Sequence, residues 1–416
     1  MASSIGARFD PLGEDLHDPY PIYAEARKAA PVFFSERLGV WCVARYDDVV
    51  AVLKDDEAFS SAEIIPRPKG MPADLDRFLD WYFADFPPLT FTDPPAHTKI
   101  RAVAARGFLP RVIARFEPTI QRITAQHLDE LSGRTEFDLL TEFSYPLIMS
   151  VILEVMGIPQ ADHSAFVAWN KQLFTVLVGS HAADEATLIQ CGRDLEDWRS
   201  YVRKIVEERR AEPREDLISF FSHSEVRGHR LEGDEVAALV MTMLAAGWEA
   251  TSNALANSVE ILLRRDLWSA LDLASIDQVI AECLRLNGSL AWINRVAVRD
   301  TKVAGQTILT GEVVSLLWNS ACHDESHYPA PTEFRPDRPR DSQELTFGHG
   351  IHYCIGAPLA RTELRMALTM LHERFPGLRL SSSEPAVYRA VMTFRALESL
   401  PVTMTPPARP ATPPGS

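Results

Sequence analysis

One cysteine stands in a segment whose composition is suited to chemistry. Cys354 lies in a glycine-punctuated loop, between Gly350 and Gly356, just ahead of a strongly helical run over residues 357–375. Glycine permits close backbone approach and positive φ angles, so the loop can aim several backbone N–H groups at the sulfur. The N-terminus of the following helix also favours negative charge. The segment therefore predicts a cysteine held as a thiolate, the form in which cysteine ligates iron.

Two other interpretations of this cysteine are open. A free cysteine is more often a small buried hydrophobe, but the glycines, Phe347 and His352 stand in fixed register around Cys354 and disfavour that interpretation. A zinc site with His349 and His352 fits by ligand type. It lacks a clear fourth ligand at ordinary structural spacing, so thiolate ligation to iron is favoured.

The loop resembles the haem-binding signature of the cytochrome P450 superfamily, in which a phenylalanine, two glycines and a basic residue precede the cysteine and a glycine follows it. Phe347, Gly348 and Gly356 occupy the signature positions around Cys354. Further motifs occur in the family's order, and the chain is similar to soluble bacterial members over residues 9–404. The resemblance implies a haem b group that is ligated by Cys354 and contacted by Phe347, Gly348 and Gly356.

Length and hydrophobic pattern predict a single large domain. The chain has 416 residues, 46% of them hydrophobic, without an internal low-complexity linker or repeat, so one core can form over residues 1–404. The periodicity is helical from about residue 96 to 265, whereas the aromatic segment 62–95 is predicted irregular. With the resemblance, this pattern predicts a mainly α fold with a small β region, the cytochrome P450 fold. The proline-rich tail 405–416 is predicted to be disordered, either a plain terminus or the remnant of a linker.

Charge and cysteine usage exclude several classes of protein. The formal net charge of −15 argues against a general binder of nucleic acid or of anionic membranes. No stretch approaches the roughly 18 apolar residues of a membrane span. The five cysteines are irregularly spaced and no secretory signal precedes them. These features predict a cytoplasmic protein with reduced thiols, and we expect it to be a monomer.

A Glu–Arg pair on a predicted helix forms the second motif. Glu282 and Arg285 stand at i and i+3, hence on one helical face, where they can pair. Alone, this spacing more often marks a solvated ion pair. The resemblance assigns both residues to the family's ExxR motif and adds Arg338 as a third member. It implies a buried structural network that braces the Cys354 loop.

Basic side chains suited to haem carboxylates form a third set. The two propionates of a mostly buried haem need cationic donors. His97 and Arg101 stand at i and i+4, on one face of a predicted helix. The resemblance implies that both contact a propionate, and that Arg295 and His352 do so as well. Singly, each could equally be a surface or capping residue.

The longest predicted helix, over residues 233–264, has a fourth motif at its buried centre. In the family this segment crosses the haem opposite the thiolate, where a glycine leaves room for dioxygen and an acid followed by threonine relays protons. Gly247 and Glu249 fit this pattern, but Ala250 occupies the usual threonine position and Thr251 follows it. One residue turns a helical side chain by about 100°, so Thr251 is expected to face away from the haem. Glu249 could alternatively be a buried acid paired elsewhere.

The departure at Ala250 leaves three options for proton delivery. Thr251 or an ordered water could substitute for the missing threonine. A substrate hydroxyl could supply the hydrogen bond, as the resemblance to some macrolide-type hydroxylases would allow. Otherwise proton delivery is poor, and the enzyme uses peroxide or performs oxidative coupling by one-electron chemistry. The sequence does not decide among these options.

The residues expected to line a substrate pocket are apolar and partly aromatic. By resemblance, the aromatic loop 62–90 roofs the pocket, and its walls come from the long helix, from the segment after the Glu282 helix and from the C-terminal region. Trp248 is bulky and either narrows the cavity or points into the helical core. Such a lining predicts a hydrophobic substrate, compatible with rings. The expected pocket residues are Phe86, Leu244, Ala245, Trp248, Leu290, Ile293 and Phe394.

The resemblance as a whole implies a monooxygenase that inserts one oxygen atom from O2 into a small hydrophobic molecule, by hydroxylation or epoxidation. NAD(P)H would be the indirect electron source, through a ferredoxin and a ferredoxin reductase, and secondary metabolism is the expected setting. A peroxide-using or oxidative-coupling enzyme is the alternative that Ala250 motivates. A haem-binding carrier or sensor without turnover is a third possibility, against which Gly247 and Glu249 speak.

Overall fold

The computed structural model describes residues 4–180, 183–339, 345–391 and 393–404, and the predicted tail 405–416 lies outside them. No helix in the described ranges has the length and apolarity that crossing a membrane requires. Helices dominate these ranges, as the periodicity predicts. They are α1 (Ile5–Arg8), α2 (Tyr20–Ala29), α3 (Tyr46–Lys54), α4 (Ala73–Asp80), α5 (Ala96–Gly107), α6 (Pro110–Ile113), α7 (Glu117–Glu130), α8 (Tyr145–Met156), α9 (His163–Gly179), α10 (Glu185–Ala211), α11 (Leu217–His223), α12 (Gly233–Arg264), α13 (Ile276–Leu286), α14 (Trp318–Ala321) and α15 (Ala357–Arg374).

Short strands form several small sheets around the helices. The strands are β1 (Val32–Ser35), β2 (Val40–Val43), β3 (Phe59–Ser60), β4 (Glu136–Asp138), β5 (Glu225–Val226), β6 (His229–Arg230), β7 (Ile293–Ala297), β8 (Thr301–Val303), β9 (Gln306–Ile308), β10 (Val313–Leu316), β11 (Leu378–Leu380), β12 (Tyr388–Val391), β13 (Phe394–Leu397) and β14 (Pro401–Met404). The largest sheet has the order β1-β2-β10-β7-β3, in which only β2 and β10 are parallel. A smaller sheet joins β11, β14 and β4, and β12 with β13 forms a hairpin. The predicted mainly α fold with a small β region is confirmed.

The helix α12 is the central scaffold of the fold. A capping box fixes its start, because the Glu232 side chain accepts from the backbone of Glu235 and the Glu235 carboxylate accepts from the backbone N–H of Glu232. Nearly every side chain between 236 and 263 is buried, as expected for a helix that is apolar all round. Around it pack α8, α10, α13 and α15. Residues at its centre are therefore held in place from several sides.

The prediction of irregular structure over residues 62–95 is wrong for its middle part. There, α4 continues into a π-helical turn, Trp81–Asp85. Leu75, Phe78 and Tyr82 recur at helical spacing and are buried, and α4 packs against α10. The flanking prolines suggest a loop, so this short apolar stripe was not recognised as a helix in the sequence. The contact with α10 stabilises the helix.

Candidate functional site

Two glycines shape the loop that contains Cys354. Gly348 and Gly350 have φ angles of 84° and 71°, in the left-handed region that other residues resist. A Cβ atom at Gly350 would lie 2.2 Å from the carbonyl oxygen of Leu53, so a side chain does not fit there. The backbone N–H of Cys354 donates to the carbonyl oxygen of Phe347 at 2.7 Å. The close backbone approach that the glycines predict is present.

Opposing influences act on the thiol of Cys354. Burial raises its pKa, whereas the backbone N–H groups of Gly356 and Ala357 and the guanidinium groups of Arg101 and Arg361 favour the thiolate. Cys354 is nevertheless an exposed residue, so it is not a packed core cysteine. A metal cation at the sulfur would shift this balance to the thiolate, because a coordinating thiol is deprotonated. The donors around the sulfur therefore suit thiolate ligation.

Four basic side chains meet near this loop, and all four are predicted propionate contacts. The rings of His97 and His352 lie 4.3 Å apart, centroid to centroid. Arg101 donates to the carbonyl oxygen of Tyr353. Arg295, in β7, is only 4% exposed, and its charge acts on His352. The fold thus brings together α5, β7 and the turn before the cysteine.

This basic cluster forms no salt bridge within the described ranges, although the charge of Asp93 acts on His97 and Arg295. Burial, with the nearby charge of Arg101, lowers the pKa of His97 to about 4. Burial, with Arg295 as the strongest charged neighbour, lowers the pKa of His352 to about 3, and burial lowers the pKa of Arg295 to about 10. The Nε2 atoms of both histidines are buried without a hydrogen-bond partner in the described ranges. Unpaired buried donors are costly, so two carboxylates of a bound haem fit this donor set.

The helix α12 presents small residues to an accessible space. Ala246 is exposed, and Gly247 and Ala250 are half-buried. All other residues between 236 and 263 are buried. Positions i and i+4 share a helical face, so the methyl groups of both alanines line this space. Ala250 therefore offers it a methyl group and no hydroxyl. Thr251, the next residue, is buried.

The room left by Gly247 is used for packing between helices. A Cβ atom at this position would lie 2.6 Å from Cδ1 of Ile152 in α8. The glycine therefore lets α8 approach α12 closely. That Gly247 also leaves room for dioxygen stays a prediction.

The carboxylate of Glu249 is bound in a network between α8, α12 and β12. Its Oε1 accepts from the Tyr145 hydroxyl at 2.9 Å, from Nη2 of Arg389 at 2.6 Å and from Nδ2 of Asn253 at 3.1 Å. Arg389 also donates to the Tyr145 hydroxyl at 2.6 Å. Burial, with the charge of Glu249, raises the pKa of Tyr145, so the hydroxyl remains a donor. The alternative interpretation of Glu249, a buried acid paired elsewhere, describes this arrangement, and its relay role stays a prediction.

The side chain of Trp248 packs against Tyr145 in α8. Its Nε1 donates to the carbonyl oxygen of Tyr145 at 3.2 Å, and the two ring centroids are 5.2 Å apart. The indole therefore packs into the helical core beside α8. This is the second of the two predicted orientations of Trp248, because a turn of about 100° per residue places position 248 away from Ala246 and Ala250. A role of Trp248 in the pocket wall stays a prediction.

Three expected pocket residues lie around the tip of the β12–β13 hairpin. Phe394 forms an isolated antiparallel bridge with Leu290. The ring of Phe394 lies 6.3 Å from that of Phe174 in α9. Ile293 is half-buried at the start of β7, three residues after Leu290. Phe394, Phe174 and Leu290 thus form one apolar group where the hairpin, α9 and the segment before β7 meet. Ile293 packs, with Leu290, against the core around the five-stranded sheet.

The other expected pocket residues, Phe86, Leu244 and Ala245, lie on other elements than this apolar group. The half-buried ring of Phe86 lies 5.9 Å from that of Trp81. Leu244 and Ala245 are 2% and 9% exposed within α12. Their contact with a substrate stays a prediction, since the accessible face of α12 begins one residue later.

The predicted Glu–Arg–Arg set forms a buried network. Arg285 donates Nε and Nη2 to the two carboxylate oxygens of Glu282, each at 2.8 Å. Arg338 donates Nε to Oε1 of Glu282 at 3.0 Å and binds the carbonyl oxygens of Pro329 and Ala330 at 2.6 and 2.8 Å. The network therefore ties α13 to the proline-rich segment that leads toward the cysteine loop.

Sequence reasoning missed a buried carboxyl group on the helix after the cysteine. Glu363, in α15, is 4% exposed, and its Oε1 has no hydrogen-bond partner in the part of the chain that the structure describes. Burial raises its pKa to about 8, so the group is largely neutral in the folded protein at neutral pH. A single charged residue in an amphipathic helix is usually assigned to the exposed face, so the residue spacing did not indicate that Glu363 is buried.

We expect Glu363→Gln to stabilise the protein increasingly as the pH rises. In the unfolded chain this carboxyl ionises around its ordinary pKa of 4.5, so unfolding releases a proton and the wild type loses stability between that pH and about 8. Glutamine keeps the shape without this loss. Its gain in unfolding free energy should be on the order of 4 kcal/mol at pH 8 and below about 1 kcal/mol at pH 5. Denaturant unfolding measures both values.

The control for this change is Glu373→Gln, at an exposed position of the same helix. It should leave the unfolding free energy within about 0.5 kcal/mol at both pH values. A pH-independent effect of Glu363→Gln would contradict the assignment of a neutral buried carboxyl.

Comparison with known proteins agrees with this geometry. The family model for cytochrome P450 matches residues 40–266 and 271–386. The polyketide biosynthesis cytochrome P450 PksS of Bacillus subtilis is 30% identical over 415 residues, which cover 95% of this chain and 98% of that protein. The 6-deoxyerythronolide B hydroxylase of Saccharopolyspora erythraea is 30% identical over 403 residues, covering 93% and 96%.

A solved structure extends the similarity to the fold. The cytochrome P450 CYP109Q5 of Chondromyces apiculatus superimposes with a TM-score of 0.85 at 31% identity, covering 97% of this chain and 99% of that one. The residues matched by the family model include the cysteine loop, the basic cluster and α12. The chain therefore belongs to the cytochrome P450 family and is a monooxygenase.

Proposed function

We propose that this enzyme inserts one oxygen atom from O2 into a small hydrophobic molecule, by hydroxylation or epoxidation. The observation that supports the proposal best is the exposed Cys354 beside a cluster of four basic residues, in which the Nε2 atoms of His97 and His352 are buried without a hydrogen-bond partner in the described ranges. Haem b suits this set, since its iron takes a thiolate and its two propionates take cationic donors.

The cysteine loop and the basic cluster would hold the haem together. Cys354 would ligate the iron, and the glycine backbone beside it would approach the macrocycle closely. The guanidinium of Arg361 lies 4.5 Å from the centroid of the Phe347 ring, which fixes that ring in the loop. When bound, haem supplies the activation of dioxygen, and the chain supplies orientation, exclusion of water and control of protons.

Proton control in this enzyme must work without a hydroxyl at position 250. Glu249 is the nearest acid on α12, and its carboxylate is bonded to the Tyr145 hydroxyl. We propose that Glu249 donates protons, and that Thr251, an ordered water or a substrate hydroxyl completes the route past Ala250. General acids of this kind typically contribute about 10²–10⁴-fold to a rate.

The methyl group of Ala250 also motivates a second candidate function. If no group replaces the missing hydroxyl, oxygen activation from O2 would be inefficient. The enzyme would then use peroxide, or couple phenols by one-electron oxidation. The position of Ala250 on the accessible face of α12 is the observation that keeps this candidate.

We propose a hydrophobic secondary metabolite as the substrate. The aromatic rings of Phe174 and Phe394 and the side chain of Leu290 would provide an apolar wall. Two relatives carry polyketide biosynthesis or 6-deoxyerythronolide B hydroxylation in their names, so a polyketide ring is a suitable first class to examine. Electrons would come from NAD(P)H through a ferredoxin and its reductase, and the protein would work as a cytoplasmic monomer.

We expect isotope labelling to separate the two candidate functions. A first screen records the spin-state shift of the ferric Soret band with a macrolactone, testosterone and hexadec-9-enoic acid. The best probe is then turned over with NADPH, a ferredoxin and a ferredoxin reductase under ¹⁸O2. Because the proposed reaction takes its oxygen from O2, the product should contain one ¹⁸O atom, which mass spectrometry measures.

The Ala250→Thr variant is the matched comparison in the same experiment. It should raise the amount of product formed per NADPH consumed, because it restores a hydroxyl to the accessible face. Turnover by peroxide alone, with no product under O2 and NADPH, would contradict the monooxygenase proposal for this chain and favour the second candidate.

A further inference from the structure

Arg389 connects two parts of the site that are distant in sequence. It lies in β12, opposite Ala396 in β13, and its Nε donates to the carbonyl oxygen of Leu397 at 3.2 Å. Its Nη2 donates to Oε1 of Glu249 at 2.6 Å. One side chain therefore fastens the hairpin to the acid of α12.

The same hairpin reaches the apolar group at its other end. Phe394 begins β13 and forms the bridge with Leu290. The backbone N–H of Ala291 donates to the carbonyl oxygen of Thr393 at 2.8 Å, so the tip is bonded to the segment before β7. A molecule that displaces the ring of Phe394 would also displace the hairpin that holds Arg389.

The bond between Arg389 and Glu249 is suited to opening. The Arg389 side chain is 38% exposed, whereas that of Glu249 is 9% exposed. Water can replace the carboxylate at a partly exposed guanidinium, so such pairs are weaker than buried ones. If this bond opens, Glu249 keeps its bonds to Tyr145 and Asn253 but loses the charge-assisted one that fixes its orientation.

We propose that Arg389 is a positioning residue that couples a bound substrate at Phe394 to the orientation of Glu249. Without substrate, Arg389 holds the carboxylate against α8 and β12. A substrate that moves the hairpin loosens this bond. Only the hydrogen bonds from Tyr145 and Asn253 then hold Glu249, and the carboxylate can exchange them to turn toward the face of Ala246 and Ala250. The orientation matters only if Glu249 handles protons, so the inference rests on the proposed function.

The first test needs no turnover. Hydrogen exchange of the haem-loaded protein is followed by mass spectrometry in peptides that cover residues 388–397. Arg389→Gln and Glu249→Gln should each raise the exchange rate there by at least about threefold, and the double variant should raise it no further, because both changes break one bond. The probe 4-phenylimidazole, which ligates haem iron and fills the space above it, should raise exchange in the wild type but not in Arg389→Gln.

The second test measures product formed per NADPH consumed and the solvent deuterium isotope effect on turnover. Arg389→Gln should change both by about twofold or more, since general acid catalysis depends on the position of the donor. Arg389→Lys keeps a cation in reach and should restore most of the wild-type values. Arg379→Gln, at an exposed position in β11, is the control and should behave as wild type.

The outcomes separate this inference from the proposed function. If Arg389→Gln leaves both the hairpin exchange and the isotope effect unchanged, the pair is a structural contact and the coupling is wrong. Additive effects in the double variant would also overturn it. If the wild type forms no ¹⁸O product, the proposed function fails, yet the exchange experiment still reports whether Arg389 joins Glu249 to the hairpin.

Discussion

Replacing Cys354 with serine is expected to remove the thiolate signature of the haem. Serine keeps the size of the side chain, but its hydroxyl is a much poorer iron ligand than a thiolate. The reduced protein under carbon monoxide should lose the Soret band of thiolate ligation. Turnover should fall by more than about 100-fold, because even groups that only orient a metal ligand are worth about 10–100-fold. Absorption spectra and product assays measure the two effects.

Cys191→Ser provides the matched control for this change. The Sγ atom of Cys191 lies 3.1 Å from Oε1 of Gln172 between α9 and α10, and serine preserves this hydrogen bond. The control should keep the thiolate-type band and wild-type turnover. Retention of that band in Cys354→Ser would show that another residue ligates the iron and would refute the assignment.

The parts of the site that the sequence predicts best are local in the chain. The glycines that shape the Cys354 loop lie within ten residues of one another. The φ angles of Gly348 and Gly350 fall in the left-handed region, which glycine adopts more readily than other residues. Glu282 and Arg285 are one helical turn apart, so the spacing predicts that they can pair. Their burial and the participation of Arg338 were implied by the family resemblance. Such motifs carry their own geometry and need no knowledge of the tertiary fold.

The parts that the sequence does not predict depend on contacts between distant segments. Arg389 reaches Glu249 across 140 positions, and no spacing rule points to it. Trp248 turns to Tyr145, and Gly247 makes room for Ile152, because α8 packs on that side of α12. Which face of a fully buried helix meets the haem is set by its neighbours, since apolar periodicity all round gives no direction.

The largest stability effect is expected for Glu282→Gln. Glu282 is 4% exposed and neutralises two guanidinium groups, those of Arg285 and Arg338. It also accepts the backbone N–H of Arg335 at 2.9 Å. Glutamine cannot neutralise either cation, and its amide N–H₂ would point at a donor. Breaking a buried charge network in this way costs about 3–5 kcal/mol, so the unfolding free energy should fall by that amount.

Denaturant unfolding of the haem-loaded protein, followed by circular dichroism and by the Soret band, measures this loss. Glu154→Gln is the control, because Glu154 pairs with Arg122 at a surface where both side chains are 38% and 51% exposed. An exposed pair contributes about 0.2–1 kcal/mol. If Glu282→Gln costs no more than this control, the network does not brace the fold. A large loss would show that this carboxylate is needed to balance Arg285 and Arg338, since removing it leaves both guanidinium groups without their counter-charge.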